Sequence, residues 1–246
     1  MTDRRAAGLG SAPGDFDALA GRVAAAVAGG ADQVQLREKD LDGAALLELA
    51  RAVGAAARRA RSDVTLLLNR RMDVALAAGW DGVHLGFDGA PVAQARALLG
   101  PRARIGVATH TPGELAALSR APAAARPDQA QLAPIWPPLS KAARGGESGE
   151  QVRGRAAARS EGAARDGAQV VRGEAAVRGP LGLEALARAA ACGIPLLAQG
   201  GVTAARAADC IRAGAAGIAA TGALLGAKDP QRAAAELRAA LDSARA

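Results

Sequence analysis

Short apolar runs alternate along most of the chain with longer Ala-rich stretches of helical period, and this alternation most limits what the chain can fold into. The runs at 33–37, 64–69, 82–85, 104–108, 129–135, 195–199 and 217–220 read as strands. The stretches at 15–28, 43–61, 71–78, 92–99, 112–119, 182–191, 204–213 and 230–244 read as helices. Strands that are apolar almost throughout are buried on both faces, and between helices that means a parallel sheet covered by helices. Seven strands and eight helices fit a TIM-type (β/α)8 barrel lacking one strand better than an open doubly wound sheet. No Gly-x-Gly-x-x-Gly turn follows the first strand, which argues against a dinucleotide fold. The 246 residues suit a single domain. Aromatics are only 2% of the chain, so the core has to come from Ala, Val, Leu and Ile.

Residues 142–178 break the pattern. They are rich in Arg, Ala, Gly, Glu and Ser with little apolar periodicity, so a flexible insertion is expected there. A transient helix over 148–176 and a nucleic-acid tether are weaker readings; the mixed charge disfavours the tether. The formal charge of +7 suits an anionic ligand or a solvated basic surface. Scarce aromatics leave no stacking platform for single-stranded nucleic acid. Apolar stretches are interrupted by charge before reaching membrane-spanning length, and the beginning of the chain lacks the apolar segment of a signal peptide, so a cytoplasmic protein is expected. Cys192 and Cys210 lack metal-ligand spacing and read as buried thiols.

In a barrel the chemistry sits where strands end, and the rare residue types fall there. Lys occurs only at Lys39, Lys141 and Lys228, Asn only at Asn69, and His only at His84 and His110. In Gln35-Leu36-Arg37-Glu38-Lys39 the alternation points Gln35, Arg37 and Lys39 to one side, with Gln35 and Arg37 toward the barrel interior. Arg and Lys at one strand end suit a phosphate. A solvated cluster paired with Glu38 and Asp40 fits the spacing equally well. Asn69 closes the second strand, and His84 lies near the end of the third. Ser140 and Lys141 stand just before the insertion, where a mobile lid could carry Lys141 onto a ligand. The turns Gln199-Gly200-Gly201-Val202-Thr203 and Ala220-Thr221-Gly222 can offer backbone N–H groups to a second phosphate, or can be ordinary turn glycines.

These residues resemble the thiamine-phosphate synthase/TenI superfamily over most of the chain outside the insertion. The resemblance rests on Gly30-Ala31-Asp32-Gln33-Val34-Gln35-Leu36-Arg37-Glu38-Lys39, on the run from Asp73 through Gly79-Trp80-Asp81-Gly82-Val83-His84-Leu85-Gly86, on Gly106-Val107-Ala108-Thr109-His110-Thr111, and on Gly200-Gly201 with Gly214-Ala215-Ala216-Gly217. It implies condensation of hydroxymethylpyrimidine pyrophosphate with thiazole phosphate, with a TenI-type thiazole tautomerase or a non-catalytic phosphate-binding barrel as alternatives. By resemblance, Gln35 contacts the pyrimidine, and Arg37, Lys39, Asn69 and Lys141 hold pyrophosphate. His84 and Ser140 are further substrate-binding candidates. Gly200, Gly201 and Gly222 border the thiazole phosphate, and Thr221 beside them is a further substrate-binding candidate. The expected partners are these two phosphorylated substrates, with no nucleic acid and no membrane; a homo-oligomer is left open.

The departures from the family pattern are specific. Arg70 and Gly89 stand where the family has magnesium-binding Asp residues, with Asp88 one position off; Ala108, Pro138 and Gly222 replace hydroxyl residues. No metal or other cofactor is therefore expected. The catalytic His of TenI-type tautomerases falls on Pro134. Thr2-Asp3-Arg4 resembles the motif that follows the family's first strand, which would lie before Met1. A translation start further upstream is the expectation, and an open barrel seam is the alternative.

Overall fold

A computed structural model describes residues 1–86, 88–137 and 179–245. Seven strands run β1 (Gln33–Leu36), β2 (Thr65–Asn69), β3 (Gly82–Leu85), β4 (Arg104–Thr109), β5 (Gln129–Leu132), β6 (Leu196–Gln199) and β7 (Gly217–Ala219). Every neighbouring pair is parallel and the spatial order is the sequence order, so the sheet curls as a TIM-type barrel with β1 and β7 as its edges. The helices are α1 (Pro13–Ala28), α2 (Gly43–Ala60), α3 (Met72–Ala77), α4 (Val92–Leu99), α5 (Pro112–Ser119), α6 (Gly182–Ala190), α7 (Ala204–Arg212), α8 (Gly222–Leu225) and α9 (Pro230–Arg245). The short α8 and the 3-10 turns at Arg4–Ala7 and Ala123–Ala125 carry too little apolar period to be read from sequence. The insertion expected at 142–178 lies outside the described residues.

Strand alternation divides the residues between two environments. Val34, Leu36, Leu66, Leu68, Val83, Leu85, Ile105 and Val107 belong to one core with the helices. The intervening positions face inward and include Gln35, Asn69, His84, Gly106, Gln129 and Gln131. Such interiors are usually filled by bulky apolar side chains; a polar, glycine-thinned lining leaves room and hydrogen-bonding capacity for a ligand.

Close helix–sheet packing follows from the small residues that composition demanded. In α2, capped by the Asp42 carboxylate accepting from the Ala45 N–H at 2.9 Å, a Cβ on Gly54 would lie 3.1 Å from Trp80 Nε1. That indole donates to the Ala50 carbonyl at 3.2 Å, satisfying its polar atom within the core. At the strand N-termini, Asp81 accepts from the Leu66 N–H and Asp128 from the Ile105 N–H, each at 2.7 Å, and each carboxylate also takes an Arg, Arg58 and Arg96. Cys210 is buried as expected, but Cys192, near the end of α6, is only half-buried.

Residues 1–5 bind the mouth of the barrel. Thr2 N–H donates to the Gln35 carbonyl at 2.7 Å, while the Met1 ammonium reaches the Ala220 carbonyl at 3.2 Å, so this segment spans from β1 to the end of β7. Below it a cavity of about 270 Å³ separates the two edges, between Gln33 and Ile218 and against Leu237 and Arg238 of α9. Among the described residues no helix is long and apolar enough to cross a membrane.

Candidate active site at the C-terminal ends of the strands

The site has a polar floor inside the barrel. Gln131 Nε2 donates to Gln35 Oε1 at 3.0 Å, Gln35 Nε2 donates to Asn69 Oδ1 at 3.3 Å, and Asn69 pairs in register with His84. The Thr109 hydroxyl fixes the Gln131 backbone by donating to its carbonyl at 3.1 Å. His84 is 3% exposed and its Nδ1 has no partner, nor does Nε2 of buried Gln129. Both atoms face Gly106, where a Cβ would lie 2.8 Å from His84 Nδ1 and 3.3 Å from Gln129 Nε2. Burial lowers the His84 pKa to about 4, helped by the Met1 ammonium and Arg37, so the imidazole is neutral near pH 7. A neutral ring with an open nitrogen can exchange hydrogen bonds with a heterocycle but brings no charge.

The rim above is cationic. Arg37 is half-buried and Lys39 exposed just beyond β1. The expected alternative pairing does not form: buried Glu38 and exposed Asp40 instead take Arg4, with Nη1–Oε2 and Nη1–Oδ1 distances of 3.0 and 2.7 Å. No described carboxylate forms an ion pair with Arg37 or Lys39. Arg37 is the largest influence lowering the Lys39 pKa, followed by burial and Arg70, while Asp88 raises it, so these four charges share one locality. Arg70 follows β2 in the left-handed region at φ 66°, its N–H donating to the His84 carbonyl at 2.9 Å. Its guanidinium pairs with Asp88 and lies against Gly86. Asp88 is one position off the expected ligand site in sequence, and its partner, Arg70, stands at the other expected metal-ligand position.

That arrangement decides whether the residues suit magnesium, which prefers near-octahedral oxygen ligation and one or two carboxylates. Among the described residues the carboxylate at this corner, Asp88, is engaged by a guanidinium; Asn69 Oδ1 accepts from Gln35; and Gly89 offers no side chain. A Cβ on Gly86 would meet Arg70 Nη2 closely, so the guanidinium fills space beside the expected ligand positions. Among the described residues no three His, Cys, Asp or Glu side chains are grouped to hold a metal ion. As arranged here, the corner presents magnesium no unengaged carboxylate among the described residues.

Across the mouth, Gly200 and Gly201 have φ of 93° and 62°. A Cβ would lie 2.8 Å from that of Pro134 at the first and 2.5 Å from the Pro137 carbonyl oxygen at the second, so both conformation and packing require glycine. The N–H groups of Gly201 and Gly222 donate to no described backbone carbonyl. Thr221 is the N-cap residue of α8 without using its hydroxyl, and a Cβ at Gly222 would meet nothing within 4 Å. Arg206 donates to the Gly201 carbonyl at 2.8 Å with its guanidinium 5.1 Å from the centroid of Trp136, bracing the turn.

The structure therefore joins Gln35 to Asn69, sets His84 beside Asn69, and gathers Arg37, Lys39 and Arg70. Ser140 and Lys141 lie outside the described residues. His110, at the end of β4, is exposed, its N–H bound to Glu114 at 2.7 Å. Sequence reading missed Gln129 and Gln131, although their alternation in β5 is the signal that singled out Gln35 and Arg37 in the first strand.

A polar barrel interior, a cationic rim and two glycine turns at the strand C-termini define a TIM-type barrel suited to anionic ligands. The chain belongs to the thiamine monophosphate synthase family, whose model matches residues 11–159. It is 38% identical to a putative thiamine-phosphate synthase of Geobacter sulfurreducens, over 98% of this chain and 92% of that one. It is 37% identical to the thiamine-phosphate synthase of Anaeromyxobacter dehalogenans, over 98% and 91%. In fold it matches a thiamine phosphate pyrophosphorylase from Pyrococcus furiosus with a TM-score of 0.72, covering 100% of this chain and 95% of that one at 23% identity.

Proposed function

We propose that this chain condenses hydroxymethylpyrimidine pyrophosphate with thiazole phosphate. The carrying observation is the Gln35–Asn69 bond with His84 alongside, at the strand end that also carries Arg37 and Lys39, cations with no ion pair to a described carboxylate. The floor suits a neutral pyrimidine and the rim its diphosphate. The bond between the pyrimidine methylene and diphosphate breaks with its electrons leaving on oxygen, and the thiazole nitrogen lone pair then forms the new C–N bond. Stabilising the departing anion lowers this barrier more than acid–base help does, consistent with cations at the rim and a neutral His84 below. Lys141 and Ser140 complete the diphosphate side in this reading, and Gly200, Gly201, Thr221 and Gly222 receive the thiazole phosphate. Both substrates are membrane-impermeant phosphates, which suits a cytoplasmic site.

A second reading, a phosphate-ligand binder without turnover, is favoured by Arg70 and Gly89 at the expected metal-ligand positions. Incubating the purified full chain with both substrates, with and without Mg²⁺, separates the two. Thiamine phosphate and equimolar pyrophosphate are expected, falling at least 10-fold in Arg37→Ala through loss of leaving-group stabilisation. Binding of thiazole phosphate without product under either condition would establish the second reading.

A further inference from the structure

We propose that the Arg70–Asp88 pair is a built-in replacement for a divalent cation: the guanidinium rests on Asp88 when the site is empty and turns to the diphosphate when it fills, so that diphosphate binds without metal. This deepens the proposed function and rests on its assignment of the diphosphate to the Arg37–Lys39 rim.

Placement supports the exchange. Arg70 leaves β2 immediately after Asn69, and its N–H is anchored on the His84 carbonyl, which fixes the base of the side chain at the edge of the floor. Its left-handed backbone is uncommon for a long side chain and orients it away from the helical path of α3. The side chains of Arg70 and Asp88 are 42% and 69% exposed, so their pairing is weak and readily exchanged in water. Arg37, Lys39 and Arg70 bring three positive charges against the one negative charge of Asp88, and Lys39 feels all three neighbours. A diphosphate presents more oxygens and more negative charge than a single exposed carboxylate, and a planar guanidinium can take two of those oxygens at a time.

Two features fit this role and not that of an ordinary surface ion pair. Gly86 leaves open the space where the guanidinium lies, since a Cβ there would meet it closely. Asp88 and Gly89 belong to a turn closed by the Gly89 N–H on the Gly86 carbonyl at 2.9 Å, which holds the carboxylate beside Arg70. The guanidinium then has a resting partner next to the rim and is itself partly open to solvent.

The test is titration calorimetry of inorganic pyrophosphate into the full chain, in EDTA and in Mg²⁺. Binding is expected in EDTA, with affinity changed less than 3-fold by Mg²⁺. Arg70→Asn, which removes the cation but keeps a residue that tolerates the left-handed backbone, is expected to weaken binding in EDTA at least 10-fold. Asp88→Asn, which releases the guanidinium, is expected to strengthen it. Gly86→Ala, which crowds the guanidinium off its resting place beside Asp88 by sterics alone, is expected to act in the same direction as Asp88→Asn and gives a second variant that leaves Arg70 itself in place. Pyrophosphate binding that appears only with Mg²⁺, or that Arg70→Asn leaves unchanged, overturns the proposal. The condensation assay separates its failure from that of the proposed function. Metal-free pyrophosphate binding through Arg70 with no product leaves this inference standing and removes the synthase; product formed only with Mg²⁺ does the reverse.

Discussion

His84 contributes in opposite ways to binding and to stability. Its burial leaves Nδ1 open toward Gly106 and lowers its pKa to about 4 from 6.5, so it enters the folded state neutral. Between those values the unfolded chain binds a proton that the folded chain refuses, so this group makes stability fall as pH drops from 6.5 to 4 and then level off. The span corresponds to about 3 kcal/mol. Chemical denaturation of wild type and His84→Asn at pH 7 and pH 4.5 should show a smaller acid loss in the variant; parallel losses would mean that His84 is solvated. Arg37 acts in the same direction, because its positive charge disfavours a second one on the ring. The rarity of His flagged this residue, but its open nitrogen depends on Gly106, which a neighbouring strand places opposite it.

Among the elements, β1 carries most of the site and, among the described residues, has a strand neighbour only on its β2 side. What secures its end is Arg4, 2% exposed, which donates through its backbone N–H and Nη1 to Glu38 and through Nη1 and Nη2 to Asp40. The Thr2 hydroxyl adds a bond to Glu38 at 2.7 Å and accepts the Arg37 N–H at 2.9 Å. Glu38→Ala would leave the Arg4 guanidinium on Asp40, the Gly10 carbonyl and the Ser11 hydroxyl but strip the buried Arg4 N–H and the Thr2 hydroxyl of their acceptor, a loss of about 1–3 kcal/mol. Urea denaturation measures that loss, and a cost below about 1 kcal/mol would show the clip to be dispensable. Apolar runs located all seven strands, because burial on both faces leaves a continuous signal. Their ends drifted where the sequence stays apolar past the last ladder bond, as at Ala133-Pro134-Ile135 beyond β5. The Arg4 clip was not legible, since its partners are 34 and 36 residues away and any Arg could have answered Glu38.

For the whole molecule, the question is whether the barrel needs the residues between Pro137 and Gly179. The described chain on either side is already joined: Leu181 N–H donates to the Pro134 carbonyl at 2.9 Å and Gly182 N–H to the Ile135 carbonyl at 3.1 Å. Ile135 is fully buried and α6 contributes Ala185, Leu186 and Ala189 to the interior, so both ends are fixed by packing. Closing a shorter loop between fixed ends changes its entropy only logarithmically, by about 0.6 kcal/mol per halving of length. Replacing 143–178 by a six-residue Gly/Ser linker should therefore keep the barrel folded, with a free energy of unfolding within about 2 kcal/mol of wild type by that scaling. Retaining Ser140 and Lys141 makes the variant informative about function as well. Unchanged pyrophosphate affinity would assign diphosphate recognition to the barrel and its Arg37–Lys39–Arg70 rim, whereas a loss of affinity at intact stability would assign part of it to the excised segment.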